Sequence, residues 1–248
     1  KVLAKMARPN YMDLVQEAGL GSIISPKDII ANQITRYVRA LANSQGMAVE
    51  SLYKLLGGKR RDNLRCYASQ LQFGWSDHGE VMASTEDYVN VCKKAVDEGY
   101  DAVKIDFFTF DRDGRAFDKM EEMQRLLKPY YVQLVEERVA ACREAVGPNV
   151  DIIMENHSRP DAQSAIQLGR AVQKYNIFYF EEPNTPTPKM NKFISDRLDM
   201  PIAQGERIYT RWQYAPYFEN NSVQVIQPDM GNTGGITETK KICDMAYV

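Results

Sequence analysis

Four strand-like segments in the second half of this chain each end in an acidic residue at nearly constant spacing. They are Asp151-Ile-Ile-Met-Glu155, Ile177-Phe-Tyr-Phe-Glu181, Pro201-Ile-Ala-Gln-Gly-Glu206 and Val223-Gln-Val-Ile-Gln-Pro-Asp229. The steps between the terminal acids are 26, 25 and 23 residues, each the length of a strand plus a helix and its loops. A β-α unit that repeats in this way builds a parallel sheet whose strand ends all lie on one face, the face where barrel enzymes keep their chemistry. Three carboxylates converging there would make a hard, oxygen-rich site suited to Mg²⁺, with Mn²⁺ as the alternative.

Earlier segments extend the pattern. Arg65-Cys-Tyr-Ala-Ser reads as a first strand and Ala102-Val-Lys-Ile-Asp-Phe as a second. Between them a helix is expected near Thr85–Glu98, because Tyr88, Val91, Cys92 and Ala95 recur at helical spacing. The charged stretch from Asp111 to Val146 reads as two helices divided at Pro129. A helix follows from about Asp161 to Lys174, and a last one opens near Gly235 and runs to the end of the chain. The fold class is therefore α/β, an incomplete (β/α)8 TIM barrel of about six βα units where a closed barrel has eight.

Residues 1–52 read differently, as a small αβ segment preceding a partial barrel over 53–248. Lys1–Lys5 and Ser22–Ser25 are strand-like, Tyr11–Ala18 helix-like, and the helix from Asp28 to about Asn43 carries Ile30, Ile34, Tyr37, Val38 and Leu41 on one face.

Composition narrows the function. With 31 basic and 33 acidic residues the chain has no charge to attract a nucleic acid, and no apolar run reaches the roughly 18 residues a membrane span needs. Four scattered cysteines without a C-x-x-C pair fit reduced thiols in a cytoplasm. The expected partner is a small molecule.

Strand alternation assigns faces to the candidate side chains. Glu155 and His157 lie two apart and share a face, as do Lys104 and Asp106, so both pairs can point into the barrel mouth. Glu182 then faces away from Glu181 and reads as its structural neighbour. Arg159 and Arg207 can neutralise an anionic substrate or pair with neighbouring acids. His78 lies in a polar loop after the first strand, and Asp151 and Asp161 read as solvated loop acids. Each strand-ending acid also has a plainer reading, as the cap of the next helix.

Two resemblances attach to these residues. Ala4-Lys-Met-Ala-Arg-Pro-Asn-Tyr, Ser25-Pro-Lys-Asp-Ile-Ile-Ala-Asn, Ile34-Thr-Arg-Tyr-Val-Arg and Val49-Glu-Ser-Leu-Tyr-Lys resemble the end of the RCK-type nucleotide-binding domain of potassium-uptake regulators. That family's Gly-rich turn is missing, and the chain holds no G-x-G-x-x-G, so no nucleotide is expected to bind. Leu55-Leu-Gly-Gly-Lys-Arg-Arg-Asp, Lys104-Ile-Asp106, Glu155-Asn-His157, Glu181-Glu-Pro, Gly205-Glu206-Arg and Gln227-Pro-Asp229 through Gly234-Gly-Ile-Thr-Glu resemble, in order, the barrel of the mandelate racemase and muconate lactonizing branch of the enolase superfamily.

The second resemblance implies that Glu155, Glu181 and Glu206 bind one Mg²⁺, with a glutamate at the first place where aspartate is more usual. It implies abstraction of a proton next to a carboxylate, with the metal stabilising the enediolate; use of a Lys or His base with Mg²⁺ in this superfamily is a general precedent. Racemases and cycloisomerases of the branch carry a second lysine where this chain has Asp106, so a racemase, epimerase or cycloisomerase is the alternative. The pattern is closer to the sugar-acid dehydratases acting on aldonates such as galactonate. There His157 would be the acid that expels the hydroxyl, and Asp229 would pair with a base histidine expected beyond Val248. On that reading this polypeptide alone is a fragment, inactive or very weak, and only the complete enzyme is a homo-oligomer. The competing readings are a non-catalytic fused regulatory module and a gene-joining artefact.

Overall fold

The computed structural model describes residues 4–5, 23–24, 58, 62–76, 79–117 and 125–247. The helices expected over Tyr11–Ala18 and Asp28–Asn43, and the loop position His78, lie outside the described residues. Strands β1 (Ala4–Lys5) and β2 (Ile23–Ile24) pair in parallel as a two-stranded sheet of their own.

The repeat forms a second sheet. Strands β3 (Ala102–Ile105), β4 (Asp151–Glu155), β5 (Ile177–Glu181), β6 (Ile202–Gln204) and β7 (Val225–Ile226) are all parallel and stand in chain order. The segment read as the first strand joins β3 through a parallel bridge, Ala68 to Val103. Its Arg65 ties the strand bases together through Asp101 at 2.9 Å and Asp151 at 2.6 Å. Asp151 is thus an ion-pair partner and not a free loop acid. Among the described residues six units are present, the first with a strand reduced to one bridge.

The strands read as continuous apolar runs because both faces are buried, as a parallel sheet requires. One face, with Ile105, Ile152, Met154, Phe180 and Ile202, joins the large core against the helices. The other, with Ile153, Tyr179 and Ala203 and with Val225 packed on them, forms the interior of the curved sheet. Glu155 and Glu181, paired in register, lie two residues beyond Ile153 and Tyr179 and so crown that interior layer.

Helix ends follow local chemistry. Helix α1 (Thr85–Asp97) opens on a capping box between Ser84 and Asp87 and buries Tyr88, Val91, Cys92 and Ala95. Helix α2 (Pro129–Val146) has Pro129 at its first turn. Asp161, read as a loop acid, caps α3 (Ala162–Val172) by accepting from the Ser164 N–H at 2.7 Å. Helices α4 (Pro188–Ser195), α5 (Arg211–Glu219), the short α6 (Met230–Thr233) and α7 (Ile236–Ala246) complete the series. The last helix spans Ile236–Ala246, and Val248 lies outside the described residues.

The first helix expected after Asp111 is not found over 111–117. Phe110 bridges Ala116 in antiparallel fashion, and the Asp111 carboxylate accepts from the N–H groups of Asp113 and Arg115 at 2.9 and 2.8 Å. Gly114 at φ 76° completes the turn. Aspartate and glycine turn chemistry overrides the helical charge pattern here; residues 118–124 lie outside the described set.

Candidate active site

One ligand atom from each of Glu155, Glu181 and Glu206 lies within 4.8 Å of the others. Glu155 and Glu181 are each 1% exposed, while the Glu206 side chain is 40% exposed. Gly205 makes this approach practicable. A Cβ there would stand 2.4 Å from the backbone of Gln227, so only glycine lets the ends of β6 and β7 lie so close.

Two buried carboxylates side by side need a cation, and Lys104 supplies one. Its Nζ lies 3.0 Å from Glu181 Oε1 and 3.2 Å from Glu155 Oε2. Burial opposes the lysine's charge, but these two carboxylates raise its pKa above the ordinary value. For Glu155, burial and then the neighbouring Glu181 push the carboxyl up to about 7, with Lys104 acting in the opposite direction. Gln227 Nε2 donates to the other Glu181 oxygen at 3.0 Å. Sequence reading missed Gln227, although it lies two residues beyond the interior-facing Val225 and alternation would have found it.

His157 reaches the cluster by a different route from the one alternation suggests. The strand has ended, and His157 and Ser158 take left-handed φ values of 49° and 59°. The turn is held by the Ser158 N–H donating to the Glu182 carbonyl at 2.9 Å. The imidazole then bridges two acids: Nδ1 is 2.8 Å from Asp106 Oδ2, and Nε2 is 3.3 Å from Glu155 Oε1. Asp106 is fully buried. Burial works to raise its pKa, but His157, Arg159 and the Phe108 N–H together hold it below the usual range. As an acceptor, Asp106 fixes the proton on Nδ1 and leaves Nε2 to titrate toward the cluster. Burial opposes the imidazolium, yet Asp106 and Glu155 raise the His157 pKa.

The two arginines are occupied by acids. Arg159 Nη2 pairs with Asp106, and Arg207 Nη1 pairs with Glu182 and with Glu206. Pairing with neighbouring acids, one of the two roles open to them in sequence, is present for both. Asp229 is exposed and caps α6, accepting from the Gly231 N–H at 2.6 Å and from Asn232 Nδ2 at 3.4 Å. It does not join the carboxylate cluster.

The donor set fits a hard divalent cation. It consists of three carboxylates from successive strand ends, and the buried Glu155 Oε2, though close to Lys104, accepts no hydrogen bond. A parallel βα sheet with carboxylates gathered at its strand ends, beside a histidine oriented by an aspartate, places the chain among barrel domains that carry a candidate metal site at that face.

The comparisons narrow the class. Residues 87–248 match the family model described as Enolase C-terminal domain-like. The chain belongs to that family, in the mandelate racemase and muconate lactonizing branch of the enolase superfamily. It is 34% identical over 199 residues to D-gluconate dehydratase of Thermoproteus tenax, covering 79% of this chain and 36% of that protein. It is 33% identical to D-gluconate/D-galactonate dehydratase of Picrophilus torridus, covering 77% of this chain and 44% of the relative. A crystal structure of a member of the enolase superfamily from Salmonella Typhimurium superposes with TM-score 0.76 at 49% identity, over 79% of this chain and half, 50%, of that one. The chain thus spans half or less of the length of these relatives. Among the described residues, no helix is long and apolar enough to cross a membrane.

Proposed function

We propose that the protein represented by this chain is a Mg²⁺-dependent dehydratase of a sugar acid, an aldonate such as galactonate or gluconate. The observation that carries this reading is the cluster of Glu155, Glu181 and Glu206 with the Asp106-oriented His157 against it. The names of the Thermoproteus tenax and Picrophilus torridus relatives, both dehydratases of sugar acids, support it. Glu155, Glu181 and Glu206 would hold Mg²⁺, or Mn²⁺ in its place. When bound, the ion supplies positive charge at the substrate carboxylate, without which the adjacent carbon is too weak an acid for a side-chain base.

The chain's own residues do the rest. Lys104 bridges the two buried glutamates and supplies the cation between them. His157 carries the proton on Nε2 and delivers it to the hydroxyl leaving from the carbon next to the carbanion, so that the C–O bond breaks and water departs. Asp106, accepting from Nδ1, holds the ring's orientation and leaves Nε2 as the nitrogen that gives up its proton, and Arg159 pairs with Asp106. Asp229 keeps its assignment as partner of the base, supported by its place beyond β7. Asp106 in place of a second lysine argues against racemisation, which needs a base on each face. We further propose that residues 1–52 form a separate unit, a reading supported by the isolated β1–β2 sheet.

The test follows 2-keto-3-deoxy acid formation from galactonate, gluconate and xylonate with Mg²⁺. It uses this chain and a version completed with a capping domain and two further βα units. The completed protein should turn over at least one of them, and His157→Asn should lower that rate about 10²–10⁴-fold with Mg²⁺ affinity unchanged. Glu181→Gln should abolish the Mg²⁺ heat in calorimetry. Metal bound with no product from any aldonate would sink the substrate reading; unchanged affinity in Glu181→Gln would sink the site.

A further inference from the structure

Glu182 and Arg207 meet the carboxylate cluster at its least supported member. Glu155 and Glu181 end strands and are held by burial, but Glu206 follows β6 with a half-exposed side chain, and Arg207 Nη1 meets its carboxylate at 2.5 Å. The same nitrogen pairs with Glu182. That second acid is fully buried and stands at a left-handed φ of 45°. Its N–H donates to the Ala203 carbonyl and its own carbonyl accepts from the Ser158 N–H, both at 2.9 Å. A non-glycine residue in that conformation, with a buried charge, keeps its place only where the surroundings over-determine it. Glu182 is therefore a rigid anchor, and Arg207 is the one link from it to Glu206 that these contacts provide.

We infer that Glu182 and Arg207 are positioning residues: the buried carboxylate anchors the guanidinium, which holds Glu206 beside Glu155 and Glu181 so that the three ligands are gathered before a cation arrives. The inference rests on the metal site proposed above and takes Arg207 out of substrate binding. It also makes a signed claim. A cation next to a metal site repels the metal, so if Arg207 were only a neighbouring charge, its removal would tighten binding. If it positions Glu206, its removal weakens binding despite the lost repulsion.

Calorimetry with Mg²⁺ on the full chain separates the two, with a thermal melt for each variant as a check on folding. Arg207→Gln should weaken affinity about ten-fold, the low end for loss of a residue that orients a metal ligand. Arg207→Lys should lie between this and the native chain, because one nitrogen makes both contacts. Glu182→Gln should weaken binding to a similar degree; should it fail to fold, Arg207→Gln, altered at an exposed side chain, decides the matter. Affinity equal to or tighter than native in Arg207→Gln overturns the inference while leaving the site intact. No heat from the native chain, or native affinity in Glu155→Gln, overturns the metal site itself and this inference with it.

Discussion

His157 shows how much chemistry one backbone conformation can set. Its left-handed φ turns the imidazole so that Nδ1 meets Asp106 and Nε2 meets Glu155. The chain has 2 histidines, so its imidazole titrations can be resolved by NMR. In the metal-free chain His157 should titrate above the ordinary imidazole value, because Asp106 and Glu155 outweigh the effect of burial. Asp106→Asn should bring that titration down. The linkage follows in sign: with the folded pKa raised, His157 contributes stability that is fully present below its unfolded pKa and is lost as pH rises through the folded one. A His157 titration unmoved by Asp106→Asn would mean the pair does not set its basicity.

At the scale of elements, two features outside the site hold its frame. Helix α1 begins on its capping box: the Asp87 carboxylate accepts from the N–H groups of Ser84 and Ala83 at 2.8 and 3.0 Å, and the Asp87 N–H donates to Ser84 Oγ at 3.2 Å. Burial acts to raise the Asp87 pKa, but these bonds lower it. The contribution is therefore present above the unfolded pKa and lost as pH falls through the folded one. Asp87→Ala should cost about 1 kcal/mol in a denaturant melt at neutral pH, with the difference from native shrinking in acid; an equal deficit at both pH values would point to packing instead. The second feature is Arg138 of α2, fully buried without a carboxylate partner among its contacts. Its guanidinium donates to the carbonyls of Phe107, Phe110 and Ala83 at 2.8, 2.7 and 2.8 Å and lies 4.4 Å from the Tyr88 ring centroid. It pins the loop that follows β3, the loop on which Asp106 and Phe108 depend. Shortening it by Arg138→Met strands those carbonyls, and a loss on the order of 3 kcal/mol is expected, read as an earlier denaturant midpoint.

At the scale of the molecule, the two sheets share no strand pairing among the described residues, and the family match begins at residue 87. Limited proteolysis should therefore cut first between the units, near Asn43–Val49 or Gly57–Arg61, leaving a stable fragment that holds β3 to α7. A single protected body would show that residues 1–52 pack as part of the barrel domain.

The period of the chain by itself determined the parallel sheet, the order of its strands and the side on which the acids gather. A strand and helix of fixed length return the chain to the same face every time, and Glu155, Glu181 and Glu206 were legible for that reason. The helix start at Pro129 was legible because its chemistry is local, and the Ser84 cap, equally local, was not read. What depends on residues far apart was not: that Arg65 ties Asp101 to Asp151, that Lys104 sits between two glutamates, that Arg207 is claimed by Glu182, and that Asp229 caps a helix instead of joining the cluster. The choice between an acid that caps, one that pairs and one that gathers around an ion is made by which groups the fold leaves within about 3 Å. Only the tertiary structure decides that distance, because burial raises the cost of an unpaired charge and so selects its partner.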